Sequence, residues 1–167
     1  MADTLYAHIS RLLPLYLWLL VGCIAVGRSY LLAFNLSDSL PGTIFLIQKE
    51  KGLNPRPGER VAFLYGGGGP YGAGTVFVKI VKGVSGSYVT AKAVEAGGYD
   101  YFVDEAFVGR SKPLSKTGFP LKKGPIGQIP RHHYYLTAPH PDSLDSRYAW
   151  VGWVARDRII GRAYRIF

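Results

Sequence analysis

Hydrophobic and polar positions follow two different patterns along this chain. From Arg11 to Phe34 the sequence reads RLLPLYLWLLVGCIAVGRSYLLAF, and between the two arginines Leu12–Gly27 is uncharged and almost wholly apolar. A run with no polar face predicts a helix surrounded by hydrocarbon rather than one packed on a core. Ser29–Phe34 extends the run, Arg28 can snorkel to an interface, and Pro14 lies in the first turn, where proline is tolerated. Tyr16, Trp18 and Tyr30 are suited to the membrane–water boundary. A cleaved leader needs a small-x-small site, and VGRSY places an arginine there instead. Residues 1–34 are therefore expected to be a tail and a retained membrane-anchor helix.

Beyond Phe34 the pattern changes to short β-rich runs: TIFLIQ, RVAFLY, TVFVKIV, SYVTAKAV, YDYFV, YYLTA, YAWVGWV and RIIGRAYRI. Glycine and proline punctuate them, at Pro41-Gly42, Pro55–Gly58, Gly66–Gly74, Gly83–Gly86, Gly97-Gly98 and Pro139–Pro141. No long amphipathic helical period occurs. The fold class predicted is mainly β: a compact antiparallel domain over 35–167, partly barrel-like or sandwich-like. GGGGPYGAG (Gly66–Gly74) reads as a mobile hairpin loop. It lacks the Lys-Ser/Thr ending and the following helix of a phosphate-binding loop.

Composition narrows the function classes. A net charge of +9 over 167 residues fits either nucleic acid or an anionic membrane surface. The basic residues are scattered, and no helix-turn-helix, zinc-finger or RNA-recognition motif is present, which argues against nucleic acid as partner. A single cysteine, Cys23, lies in the apolar run, so neither an internal disulfide nor Cys ligation of zinc is available. His132-His133 are adjacent and point to opposite faces if extended, so no metal site or cofactor is expected.

Candidate chemistry begins at NLSDSLPGTIF (Asn35–Phe45), where two serines follow the anchor. Serine is a weak nucleophile unless a base takes its proton. His8 lies on the far side of the anchor from the β domain, and His140, near Asp142 and Asp145, is an outside candidate. A lysine serves instead when burial lowers its pKa. In TVFVKIVKG, strict alternation puts Lys79 on one face with Phe77 and Val81, where an inward-facing ammonium would be desolvated, whereas Lys82 ends the strand beside Gly83. Ser and Asp also favour helix exits, so the serine segment reads equally as an exit turn.

Four segments then occur in the order found in type I signal peptidases. SDSLP resembles their Ser-x-Ser-Met motif, and PGERVAF their Gly-Asp-x-Val-x-Phe strand. FVKIVKGVSGS resembles their Lys-bearing strand, and SLDSRYAWVGWVARDRIIGRA their Ser-x-Asp-Ser-Arg ending. The resemblance implies a membrane-anchored serine endopeptidase with a Ser/Lys dyad: Ser39 as nucleophile and Lys79 as base. The Ser37 hydroxyl and the Ser39 N–H would form the oxyanion hole. Ser143 would hold the lysine, and Asp145 and Arg147 would pair on one strand face. The proline comes one residue earlier than in the general enzymes, and the chain has little room for their large second β domain. In this it looks more like the TraF-type peptidases of conjugative plasmids. That implies an inner-membrane enzyme with its catalytic domain on the periplasmic side, acting on a pilin or other precursor with a membrane segment by cleavage or by head-to-tail cyclisation. The alternatives are a general signal peptidase, a non-catalytic anchored component of a secretion or conjugation apparatus, and a basic DNA-associated membrane protein.

Overall fold

The computed structural model describes residues 2–35 and 39–167. Helix α1 spans Ala2–Ser29. Its stretch Ile9–Ser29 has 21 residues, is long and apolar enough to cross a membrane, and has none of its apolar window buried in the protein. At 1.5 Å per residue it is about 31 Å long, close to the thickness of a bilayer's hydrocarbon core.

The helix does not continue through Phe34, as the unbroken apolar run had suggested. It stops at Ser29, and Tyr30–Phe34 form strand β1, antiparallel to β2 (Ile44–Lys49), with Tyr30 opposite Gln48 and Phe34 opposite Ile44. Leu31 and Ala33 pack on the core while Tyr30, Leu32 and Phe34 face outward, the two-residue period of a strand. Lys49 Nζ donates to the Gly27 carbonyl at 2.7 Å, satisfying one of the oxygens that a helix C-terminus leaves without a partner.

The next strands are β3 (Arg60–Leu64), β4 (Val76–Gly83), β5 (Tyr88–Ala93), β6 (Tyr99–Val103), β7 (Ala106–Ser111) and β8 (Gly127–Gln128). They are followed by β9 (His133–Thr137), β10 (Val154–Ala155) and β11 (Ile159–Arg165). A seven-stranded sheet has the order β1-β2-β11-β3-β4-β9-β10, and a four-stranded sheet the order β7-β6-β5-β8. The named pairs are antiparallel throughout. RVAFLY and TVFVKIV read as near-continuous apolar runs because the large sheet is covered on both faces. Val61, Phe63 and Val81 belong to one core cluster, with Phe77 packed against it. Ala62 belongs to the other, with Val76, Val78 and Ile80 against it.

The smaller sheet leans on the larger through Val89, Tyr101, Val103, Ile129 and Tyr135. Gly83, at a register shift between β4 and β9, permits this approach, since a Cβ there would lie 2.5 Å from Ile129 Cδ1. YAWVGWV, expected as a strand, is mostly turn. Val151 N and Gly152 N both donate to Tyr148 O, and only Val154 and Ala155 join the sheet.

Candidate active site

A cleft of about 570 Å³ opens where the chain leaves β1, and Ser39, Lys79 and Ser143 all line it. Its lysine side is built by the core. Lys79 lies opposite Val61 in the β3–β4 ladder, on the face that carries Phe77 and Val81, and is only 5% exposed. Its Nζ stands 5.4 Å from the centre of the Phe77 ring, and no hydrogen bond or ion pair engages it among the described residues. Burial lowers its pKa to about 8; the nearby Asp145 charge opposes this and the Arg147 charge adds to it. An ammonium that loses its proton near neutrality can serve as a base, which an exposed lysine cannot.

The serine side is built by a clamp. Asn35 N donates to Thr43 O at 2.8 Å, and Asn35 Nδ2 donates to Leu40 O at 2.9 Å and to Gly42 O at 3.0 Å. One residue thus closes the turn that carries Ser39. The Phe167 carbonyl accepts from Thr43 N at 2.6 Å, and Gly42 (φ 117°) lets Arg165 pass where a Cβ would be 2.5 Å from its Cδ. Ser39 is 9% exposed. Ser37, expected to complete the oxyanion hole, lies outside the described residues, as does Asp38.

Asp145 and Arg147 meet, although not across a strand face as expected. Both lie in a turn, where Tyr148 N donates to Asp145 O at 2.9 Å. Arg147 Nε donates to Asp145 Oδ1 at 2.8 Å and Nη2 to Oδ2 at 2.7 Å, a bidentate pair with both partners essentially fully buried. Burial pulls the Arg147 pKa down, and the Asp145 hydrogen bonds and charge more than reverse that, so the guanidinium stays ionised. The spare valences hold the turn in place. Asp145 Oδ2 accepts from Ala138 N at 3.0 Å, and Arg147 Nη1 donates to Arg110 O in β7 at 2.7 Å. The smaller sheet therefore reaches the site through this guanidinium. Gly109 leaves it room, with a would-be Cβ 2.9 Å from Nη1.

Ser143 is buried on the cleft wall, and its Oγ has no hydrogen-bond partner among the described residues. Such an orphan hydroxyl is costly unless something fills its valence. His140 also lines the cleft, but its Nδ1 accepts from Asp142 N at 3.2 Å, a local turn contact. His132 and His133 are held elsewhere: His132 N donates to Ser85 Oγ, and His133 Nδ1 lies against Arg131 O. Among the described residues no group of three or more His, Cys, Asp or Glu is placed to hold a metal. Sequence reasoning missed Asn35, whose amide is read only as a turn former until its two carbonyl partners are known. It also missed Tyr71 of the Gly66–Gly74 loop, which lines the cleft and meets Phe77 edge-on at 5.2 Å. Tyr65 Oη donates to Gly68 O and Trp150 packs against Gly69, contacts that tie the start of that loop to the domain while most of it is exposed.

Compared with known proteins, residues 5–167 match the family model described as signal peptidase, peptidase S26. No curated protein matches the chain.

Proposed function

The chain belongs to the signal peptidase family, peptidase S26, and on that premise we propose that it cuts its precursor with a Ser39/Lys79 dyad at the outer surface of the bacterial inner membrane. Family membership makes it a serine endopeptidase acting on protein precursors. The observation that carries the dyad is the buried Lys79, without a hydrogen-bond or ion-pair partner among the described residues and with its pKa lowered to about 8, in the same cleft as Ser39. Neutral Lys79 takes the proton of the Ser39 hydroxyl as Oγ attacks the scissile carbonyl carbon. The resulting oxyanion is met by the Ser39 N–H, with Ser37 supplying the second donor. The lysine ammonium then returns its proton to the departing amine, leaving an acyl-enzyme. The orphan Ser143 Oγ suits the role of a partner that orients Nζ once substrate closes the cleft.

The nucleophile segment, with Pro41 two residues after Ser39, and the modest second sheet support a pilin subunit as the precursor. The acyl group then passes either to water or to the pilin's own N-terminal amine, which gives a head-to-tail ring. Both routes share every step up to the acyl-enzyme. Co-expression with a pilin precursor encoded nearby, followed by intact-mass measurement, tests the proposal. A Ser39-dependent loss of a terminal peptide is expected, and a product lighter by one further water identifies cyclisation. Processing that persists in Ser39→Ala would overturn the dyad and favour the non-catalytic alternative.

A further inference from the structure

A second hollow of about 210 Å³ lies against the catalytic cleft, and Tyr71, Lys116, Asp142 and Leu144 line both. Its remaining wall includes Leu114, Leu121, Tyr148 and Trp150, so the interior is mainly apolar and aromatic. It is smaller than the roughly 300 Å³ at which small-molecule sites begin, a size that suits one large side chain.

The floor is fixed. Tyr148 is buried and its Oη accepts from Lys112 N at 3.0 Å, while Trp150 is backed by Gly69, where a Cβ would fall 2.5 Å from the indole. Tyr71 separates the hollow from Phe77, and Phe77 lies against Lys79, so two aromatic rings stand between the hollow and the proposed base. The rim is charged. Lys112 and Lys116 (at 3.2 Å) both pair with Asp142, the only acidic residue in the lining among the described residues. Two cations sharing one carboxylate leave one positive charge in excess at this rim among the described residues.

We propose that this hollow is a second substrate subsite, which takes one large apolar side chain of the precursor, next to a precursor carboxylate drawn to the Lys112–Lys116 rim. The subsite rests on the peptidase reading above. It adds to specificity at the cut a demand on a residue elsewhere in the bound segment. Burial in such a pocket discriminates among side chains by about tenfold or more in kcat/KM.

The test uses the full chain in detergent micelles and synthetic peptides with a constant small-residue centre, scanned at the flanking positions with Ala, Leu, Phe and Glu. In the wild type, Phe or Leu at one scanned position should raise kcat/KM about tenfold over Ala, with a further gain from an adjacent Glu. Leu121→Trp or Leu114→Trp, each filling the hollow without touching the cleft lining, should erase the apolar gain. Lys112→Glu should erase the acidic gain. All three variants should still cut the all-alanine peptide at the wild-type rate. Gains that survive in these variants, or the absence of any preferred position, would overturn the subsite. If no peptide is cut in a Ser39-dependent way, the peptidase reading falls separately. The hollow is then judged by photocrosslinking a benzoylphenylalanine peptide to the Ser39→Ala chain: label in 112–121 supports it, and label elsewhere or none refutes it.

Discussion

Two cations are buried side by side in this protein and are treated in opposite ways. Arg147, 1% exposed, has a bidentate carboxylate and further backbone acceptors, at Arg110 in β7 and in the connection that follows β9. Lys79, almost as deep, has a phenyl ring and no acceptor among the described residues. The first arrangement stabilises a charge and uses it as a structural joint. The second makes the charge unwelcome, which suits the ammonium to the proposed role of a base. The two treatments are linked, because the Asp145 carboxylate is taken up by Arg147 and so only partly offsets the desolvation of Lys79.

The largest expected effect separates stability from activity at Lys79. Lys79→Met should reduce cleavage by about a thousandfold or more, as should Ser39→Ala, measured as precursor turnover. The same Lys79→Met change should raise the thermal midpoint. A lysine held at about 8 instead of its ordinary 10.5 destabilises the folded state by about 3 kcal/mol wherever it is charged. Between those two values the unfolded chain binds the extra proton, so wild-type stability should climb with pH and the gap to Lys79→Met should close. A midpoint that falls in Lys79→Met would break the contrast with Arg147.

Arg147→Met should do the reverse. It leaves Asp145 buried without its partner, at a cost of about 3–5 kcal/mol, read as a fall of roughly 10 °C in thermal unfolding. A smaller effect sharpens the comparison through pH. Activity should rise along a limb with an apparent pKa of about 8, so that at pH 7 about a tenth of the plateau remains. A limb centred near the ordinary lysine value would mean that Lys79 is solvated during turnover. The smallest effect concerns the serine side: Asn35→Ala should lower kcat about fivefold with KM and the pH limb unchanged, because it loosens the turn without altering the base.

Much of the architecture was legible before any coordinates, because burial on both faces leaves unbroken apolar runs and turns need glycine or proline. YDYFV coincides with β6, and TIFLIQ, RVAFLY and RIIGRAYRI each overlap a strand to within a residue or so at either end. The smaller sheet was not foreseen as a unit. Its β6–β7 turn is Asp104-Glu105, two residues with positive φ and no glycine to signal a hairpin. β1 was hidden for another reason, since a strand that continues an apolar helix shows no change of composition at the junction. At the site, alternation placed Lys79 on one face with Phe77 and Val81 but did not say whether that face pointed inward, because the strand is covered on both sides. The closing of Asp145 on Arg147 depended on a turn that the two-residue spacing did not reveal. The Asn35 clamp needed the positions of Leu40 and Gly42, which no local pattern specifies.

The junction of α1 and β1 has a consequence for which precursors are cut. Ser29 ends the helix, Tyr30 begins the sheet, and Lys49 fastens Gly27 across the joint. With no linker to swing between helix and sheet, α1 as a membrane anchor would hold the proposed nucleophile at a set height above the lipid. The enzyme would act as a gauge, choosing its bond by counting residues up from where the precursor emerges. Lengthening a precursor's stalk should then shift the cut along the stalk and preserve its altitude.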